Sequence, residues 1–262
     1  VDLGLEGTVA VVTGAGRGIG LAVTRTLAAE GAIVLAASRT VSADLAELAT
    51  GGHVVPVAAD LTDPTAAAGL MLQAGALGPV TVLVNNVGGV NPRTGGFASV
   101  TDDEWRDTFE LDVLTAVRTT RAALPTMVGA GRGAVVMVAS VNARLPDPAV
   151  IDYSAAKAAL TSFAKSLSKE VGGSGIRVNC VSPGPVATDL WLGDGGVAAT
   201  VSAATGDDTA QVVADAEASM VTGRFTTPAE VAALVAFLAS DRVAGNITGA
   251  DFVIDGGLTS EL

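Results

Sequence analysis

Short apolar runs alternate with longer amphipathic stretches along almost the whole chain. The runs are "TVAVVT" (8–13), "AIVLAAS" (32–38), "HVVPVAAD" (53–60), "VTVLVNN" (80–86), "GAVVMVAS" (133–140), "IRVNCVS" (176–182) and "DFVID" (251–255). Their brevity and their valine and isoleucine content mark buried strands. Between them, helices are expected at about 18–30, 42–50, 64–75, 101–124, 153–171 and 228–239. Buried strands each followed by an amphipathic helix predict an α/β fold, a doubly wound parallel sheet with helices on both faces. No linker or repeat interrupts the pattern, so residues 1–262 read as a single domain. The rhythm fails only over 184–227, rich in Gly, Ala, Thr and Asp. That segment reads as a long irregular insertion covering a binding site.

In such sheets ligands bind at the carboxyl ends of the strands. The unusual residues gather at that edge: "TGAGRGIG", "SRT", "AADL", "NNVGG", "ASVN" and "SPGPVATD". Composition narrows what the ligand can be. Hydrophobic residues make up 49% of the chain and charged residues 16%, enough for a large core. With 27 acids against 15 bases and a net charge of −12, nucleic acid and anionic membrane surfaces are poor partners. No run approaches the roughly 18 apolar residues of a membrane span. The N-terminal stretch lacks the order of a signal peptide, and a cytoplasmic protein is expected. Cys180 is the only cysteine and His53 the only histidine. Neither a disulfide, nor a metal centre, nor a Ser-His-Asp triad is expected. His53 itself follows two glycines at a strand start and reads as a half-exposed surface residue.

Two features carry chemistry. "TGAGRGIG" (13–20) ends the first strand and opens the first helix, where glycines let the backbone turn sharply and approach a pyrophosphate. It does not fit strict G-x-G-x-x-G, because Ile19 takes the last glycine's place counted from Gly14. A tight turn without a ligand is the alternative. Tyr153, the only tyrosine, stands four residues before Lys157. In a helix the phenol and the ammonium would share one face.

Taken together, these motifs resemble the classical short-chain dehydrogenase/reductase family over essentially the whole chain, which implies a Rossmann-like fold. Thr13, Gly14, Gly18 and Gly20 match its T-G-x-x-x-G-x-G turn. Asp60 and Leu61 match its adenine-contacting pair. Asn85, Asn86 and Gly88 match its N-N-A-G strand end, with Val87 in place of alanine. Ser140, Tyr153 and Lys157 match its catalytic residues. Pro183, Gly184 and Thr188 match the segment beside the nicotinamide, with Val186 between them. The resemblance implies that Tyr153 is the general acid in ketone reduction and the general base in alcohol oxidation. A free phenol titrates near 10, and a neighbouring ammonium favours the phenolate. Ser140 would bond the substrate oxygen, and Lys157 would also hold the nicotinamide ribose. The resemblance further implies a homotetramer built partly on the helices at 101–124 and 153–171.

The second strand ends in Ser38 and Arg39, where NAD-selective folds carry an acid for the ribose 2′-hydroxyl. Serine leaves room for a 2′-phosphate, which Arg39 and Arg17 can bind. NADPH/NADP+ is therefore expected rather than NADH. For a small carbonyl substrate, Val141, Asn142, Leu145, Val186, Trp191 and Leu192 are candidate walls of a mostly apolar pocket. Trp191 and Leu192 could equally be core residues of a lid helix. The ends of two long helices, "TMVGAGRGA" and "SKEVGGSG", are largely uncharged. An acidic carrier protein needs a basic docking face, so reduction of free ketones or aldehydes ranks above reduction of 3-oxoacyl groups on acyl carrier protein. A catalytically silent dinucleotide-binding protein is the third reading.

One position departs from the resemblance. Asp112 stands where most members have an asparagine that holds a helix irregularity and, through a freed carbonyl, a water leading protons to Lys157. An ionised aspartate only accepts hydrogen bonds, whereas a protonated one can donate much as asparagine does. Asp112 therefore joins Ser140, Tyr153 and Lys157 as a candidate catalytic residue. It is expected to modulate pH dependence, by favouring the Lys157 ammonium, without abolishing turnover.

Overall fold

Seven strands form one parallel sheet in the computed structural model, which describes residues 1–260. They are β1 (Val9–Thr13), β2 (Ile33–Ser38), β3 (Val54–Ala58), β4 (Val80–Asn85), β5 (Gly133–Val138), β6 (Ile176–Pro183) and β7 (Asp251–Ile254). Their spatial order is β3-β2-β1-β4-β5-β6-β7. The chain order reverses between β1 and β4, which opens a crevice at their carboxyl ends.

Strand alternation divides the interior into two cores. Ala10 and Val12 point to one face, where they meet Leu21, Val23 and Leu27 of helix α1 (Gly18–Ala29) and Val231, Val235 and Leu238 of α10 (Pro228–Ala239). Val9 and Val11 point to the other face. There they meet Leu70 of α3 (Ala66–Gly75), Met127 of α5 (Thr115–Ala130) and Leu160 of α6 (Ile151–Val171). Both faces are buried, so the strands show no polar alternation. Burying each such side chain contributes roughly 1.5–3 kcal/mol, which is why the short runs were unambiguous. Helix α2 (Ala43–Ala49) flanks the β2–β3 edge, and its start is capped by Ser42, whose hydroxyl accepts the Leu45 N–H at 3.2 Å.

Two expectations need correction. The helix expected at 101–124 is three pieces: α4 (Asp102–Phe109), a π-helical turn (Glu110–Leu114) and α5, which runs on to Ala130. Pro125 lies inside α5 but on its exposed side, while Met127 in the next turn is fully buried and holds the helix to the sheet. About half of the segment 184–227 is helical, in α7 (Asp189–Leu192), α8 (Val197–Thr205) and α9 (Thr209–Ala218). Its many small residues suit short helices as well as coil. A last short helix, α11 (Asp241–Ala244), precedes β7. His53 is exposed, as the sequence suggests. Among the described residues no helix is long and apolar enough to cross a membrane, and no group of His, Cys, Asp or Glu is placed to hold a metal ion.

Candidate active site

The turn after β1 is built by contacts from β4. The Thr13 hydroxyl donates to the Val84 carbonyl and accepts the N–H groups of Asn86 at 2.9 Å and Val87 at 3.2 Å. The Asn86 amide donates back to the carbonyls of Thr13 and Gly14, at 3.1 and 3.2 Å. Gly14 and Gly18 lie at φ of +66° and +55°, where a side chain is strained. A Cβ at Gly20 would collide with the Gly14 carbonyl oxygen and the Asn86 amide. The first N–H groups of α1 are thereby left facing the crevice beside Ile19, a natural seat for an anion.

That crevice opens into a cleft of about 1230 Å³ along the carboxyl edge of the sheet. At one end lie Arg17, Ser38, Arg39, Asp60 and Leu61. Arg17 and Arg39 are exposed, and neither forms an ion pair among the described residues. The Ser38 hydroxyl donates to the Thr40 carbonyl at 2.7 Å. The Asp60 carboxylate accepts the hydroxyl and the N–H of Thr62, at 2.7 and 3.0 Å, and those bonds hold it below the usual carboxylate range. Leu61 is buried beneath it.

Mid-cleft, Ser140 just beyond the end of β5 faces Tyr153 on α6, with Lys157 one turn further along. Lys157 is buried, with its ammonium 5.5 Å from the centre of the Tyr153 ring. Its Nζ lies 3.1 Å from Asp112 Oδ1 and donates to the Val138 carbonyl at 3.3 Å. Gly88 permits this approach: a Cβ there would lie 2.5 Å from Asp112 Oδ1 and 3.0 Å from Lys157 Nζ. Pro183, Gly184, Val186 and Thr188 line the same stretch from the end of β6. The far end is formed by Asn142, Leu145 and Trp191 with Val141, and by Val197, Val201, Ala216 and Ser219 of the α8–α9 region. Leu192, expected in this wall, is not part of it. It is exposed, while its neighbours Leu190 and Trp191 line the cleft.

Residues 8–195 match the short chain dehydrogenase family. The chain belongs to that family. It is 35% identical to the uncharacterized oxidoreductase YvrD of Bacillus subtilis, over the full length of both chains. It is 34% identical to the 3-oxoacyl-(acyl-carrier-protein) reductase FabG of Salmonella typhimurium, over 98% of this chain and 99% of the relative. Among solved structures it is similar to the L-sorbose reductase of Gluconobacter frateurii, complexed with NADPH and L-sorbose. That likeness has a TM-score of 0.90 and 33% identity, and covers all of both chains. A putative gluconate 5-dehydrogenase of Beutenbergia cavernae with bound NADP gives a TM-score of 0.86 and 32% identity, again over all of both chains.

In this short chain dehydrogenase the mid-cleft charges oppose one another. Burial pushes the Tyr153 phenol up, against the pull of Lys157 and the Ser140 hydroxyl, and Asp112 adds to the rise. Lys157 favours the phenolate, as expected, but burial is the larger effect and the phenol ends above its ordinary value. Burial works against the Lys157 ammonium too, but Asp112 and Tyr153 outweigh it and the lysine ends above its ordinary value. Burial pushes Asp112 itself up in spite of Lys157 and the Gly89 N–H.

Sequence reasoning missed a second layer of this family member's site. Arg93, in the loop after β4, grips Asp152 at the start of α6, with Nη2 2.5 Å from Oδ2 and Nε 3.2 Å from both carboxylate oxygens. Its Nη1 reaches Glu104 Oε1 at 2.7 Å, and the Thr108 hydroxyl also donates to Asp152, at 2.7 Å. The pair spans 59 residues of sequence. Only the presence of a charged residue directly before Tyr153 hinted at it.

Proposed function

We propose that the protein is an NADPH-dependent oxidoreductase that reduces the carbonyl of a small ketone or aldehyde to an alcohol. The observation that carries this is the convergence of Ser140, Tyr153 and Lys157 in one cleft, beside a glycine turn with free helix N–H groups. Ser140 donates a hydrogen bond to the substrate oxygen and holds it at the phenol. Tyr153 passes its proton to that oxygen as general acid, and Lys157 and Asp112 set the field in which it does so. Gly14, Gly18, Ile19 and Gly20 take the pyrophosphate, Asp60 and Leu61 the adenine, and Asn86, Gly88, Lys157, Pro183, Gly184, Val186 and Thr188 the nicotinamide half. When bound, the reduced cofactor supplies the hydride. Arg17 and Arg39 would hold its 2′-phosphate. Their lack of ion pairs among the described residues and the absence of an acid at the end of β2 support NADPH over NADH, as do the NADPH and NADP in the two similar structures. Residues 184–227 act as the cover over the substrate, within one domain, and Asn142, Leu145 and Trp191 shape its pocket. A homotetramer in the cytoplasm, using α5 and α6 as interfaces, completes the reading.

The likeness to FabG favours a second reading, reduction of 3-oxoacyl groups on acyl carrier protein. The sparse positive charge at the ends of α5 and α6 weighs against it. Turnover of a panel of ketones, aldehydes and 3-oxoacyl substrates with each cofactor tests both. NADPH-dependent reduction of free ketones is expected to exceed reduction of the carrier-bound substrate. Tyr153→Phe should lower kcat by about 10²–10⁴-fold, the range of general acid catalysis. NADPH binding, read as a thermal shift, should persist in that variant. A wild-type protein that binds NADPH and turns over none of the panel would instead be a silent dinucleotide-binding protein.

A further inference from the structure

Three facts about Asp112 belong together. Its side chain is completely buried within the π-helical turn, its Oδ1 takes both Lys157 at 3.1 Å and the Gly89 N–H at 3.2 Å, and its Oδ2 has no partner among the described residues. The aspartate therefore spends its charge on one neighbour. An ammonium with a carboxylate 3.1 Å away acts at a distance as a dipole and no longer as a free cation, and in a dry site that difference is large. The Tyr153 ring, 5.5 Å from Nζ, lies within that field.

The other groups around the cluster do not replace it. On α6, Asp152 is already bound by Arg93 and Thr108. On β6, Cys180 is buried and its thiol is pushed up to about 12, first by burial, so it stays neutral. Ser140 beyond β5 contributes a hydroxyl, and the loop after β4 contributes only the Gly89 N–H. Among the described residues, Asp112 is the one carboxylate in contact with Lys157.

We propose that Asp112 is a positioning residue that offsets part of the Lys157 field at Tyr153, and so keeps the phenol a proton donor further into the alkaline range than an asparagine would. This rests on the reading of Tyr153 as the acid–base group. Carbonyl reduction needs the protonated phenol and alcohol oxidation needs the phenolate. One titration then sets both the falling limb of the first and the rising limb of the second.

Because Tyr153 is the only tyrosine, tyrosinate absorbance in an alkaline titration follows this single group without any turnover. In Asp112→Asn and in the smaller Asp112→Ser, the absorbance change is expected at lower pH than in the parent protein. The two kinetic limbs should move down with it, making alcohol oxidation severalfold faster below the parent's limb. An unmoved titration, or a fall in kcat at all pH values with both limbs in place, would overturn the proposal. So would a shift to higher pH, which would mean that Asp112 acts mainly by keeping Lys157 charged. If the absorbance moves but neither parent nor variant reduces a carbonyl, the electrostatic role stands and the reductase reading fails.

Discussion

The two walls of the cleft are held by different forces. The wall around the glycine turn is fixed by hydrogen bonds between strand ends, with Thr13 and Asn86 each bonded several times across the sheet. The opposite wall, residues 184–227, is tied by backbone hydrogen bonds only near its two ends, from the Gly184 N–H to the Ile254 carbonyl and from the Thr222 N–H to the Gly256 carbonyl, and between them it leans on apolar contacts. Trp191 packs at a tilt against Phe225, with ring centres 5.3 Å apart, Met220 is buried, and a lone β-bridge joins Val186 to Thr226. Leu190, Leu192 and Val221 of the same segment are exposed. Directional bonds fix distances to a fraction of an ångström, whereas apolar contacts tolerate rearrangement. The first wall suits an invariant ligand, and the second suits one that differs between relatives.

The sharpest way to break this contrast is Gly20→Ala. Its Cβ has nowhere to go but into the Gly14 carbonyl, and overpacking of this kind costs about 1–3 kcal/mol. Dinucleotide affinity, measured by calorimetry, is expected to fall by roughly tenfold to a hundredfold while the sheet still folds. Arg39→Asp should leave the turn intact and lower kcat/KM for NADPH by about ten- to a hundredfold, the worth of a charge-assisted bond, with NADH gaining in relative terms. Equal values for both cofactors in the parent protein would remove the basis for this expectation. Trp191→Ala tests the other wall. The KM for a bulky ketone should change about tenfold, with the KM for NADPH unmoved, since the indole lies away from Arg17 and Arg39.

The smallest effect concerns acid. Burial pushes the Asp152 carboxyl up, but the Arg93 guanidinium and the Thr108 hydroxyl more than offset it, and the group ends below its ordinary value. A carboxylate depressed on folding stabilises the native state above its unfolded value, near 3.9, and that contribution fades as pH falls through the folded value. Asp152→Asn should therefore lower the Tm near neutrality, with the gap to the parent closing as pH falls through the folded value, so that the acid limb of the Tm-against-pH curve is flatter in the variant.

The difference between the walls also decides what could be read from the chain. Strand ends announce themselves, because a buried apolar run must stop where polar chemistry begins. Thr13, Asn86 and Ser140 were legible for that reason, and Tyr153 with Lys157 by the i, i+4 spacing that sets both on one helix face. The helix irregularity at Asp112 was inferable only through resemblance, since a single i→i+5 turn shifts the periodicity by one residue and leaves no local mark. The Arg93–Asp152 grip joins a coil to a helix start, and no spacing rule connects such partners. Leu192 went astray because a one-turn helix has no periodicity to read.

The bonds between Asn86 and the turn have a consequence for how the molecule comes into being. They link residues 72 and 73 positions apart, so the dinucleotide seat cannot form until β4 has docked beside β1, after α1, β2, α2, β3 and α3 have been looped out between them. Closing so large a loop is slow, and pairing of this sort governs folding rate more than final stability. A ligand that needs the seat binds only molecules past that step. It would raise the native population by mass action while leaving the rate of reaching it unchanged.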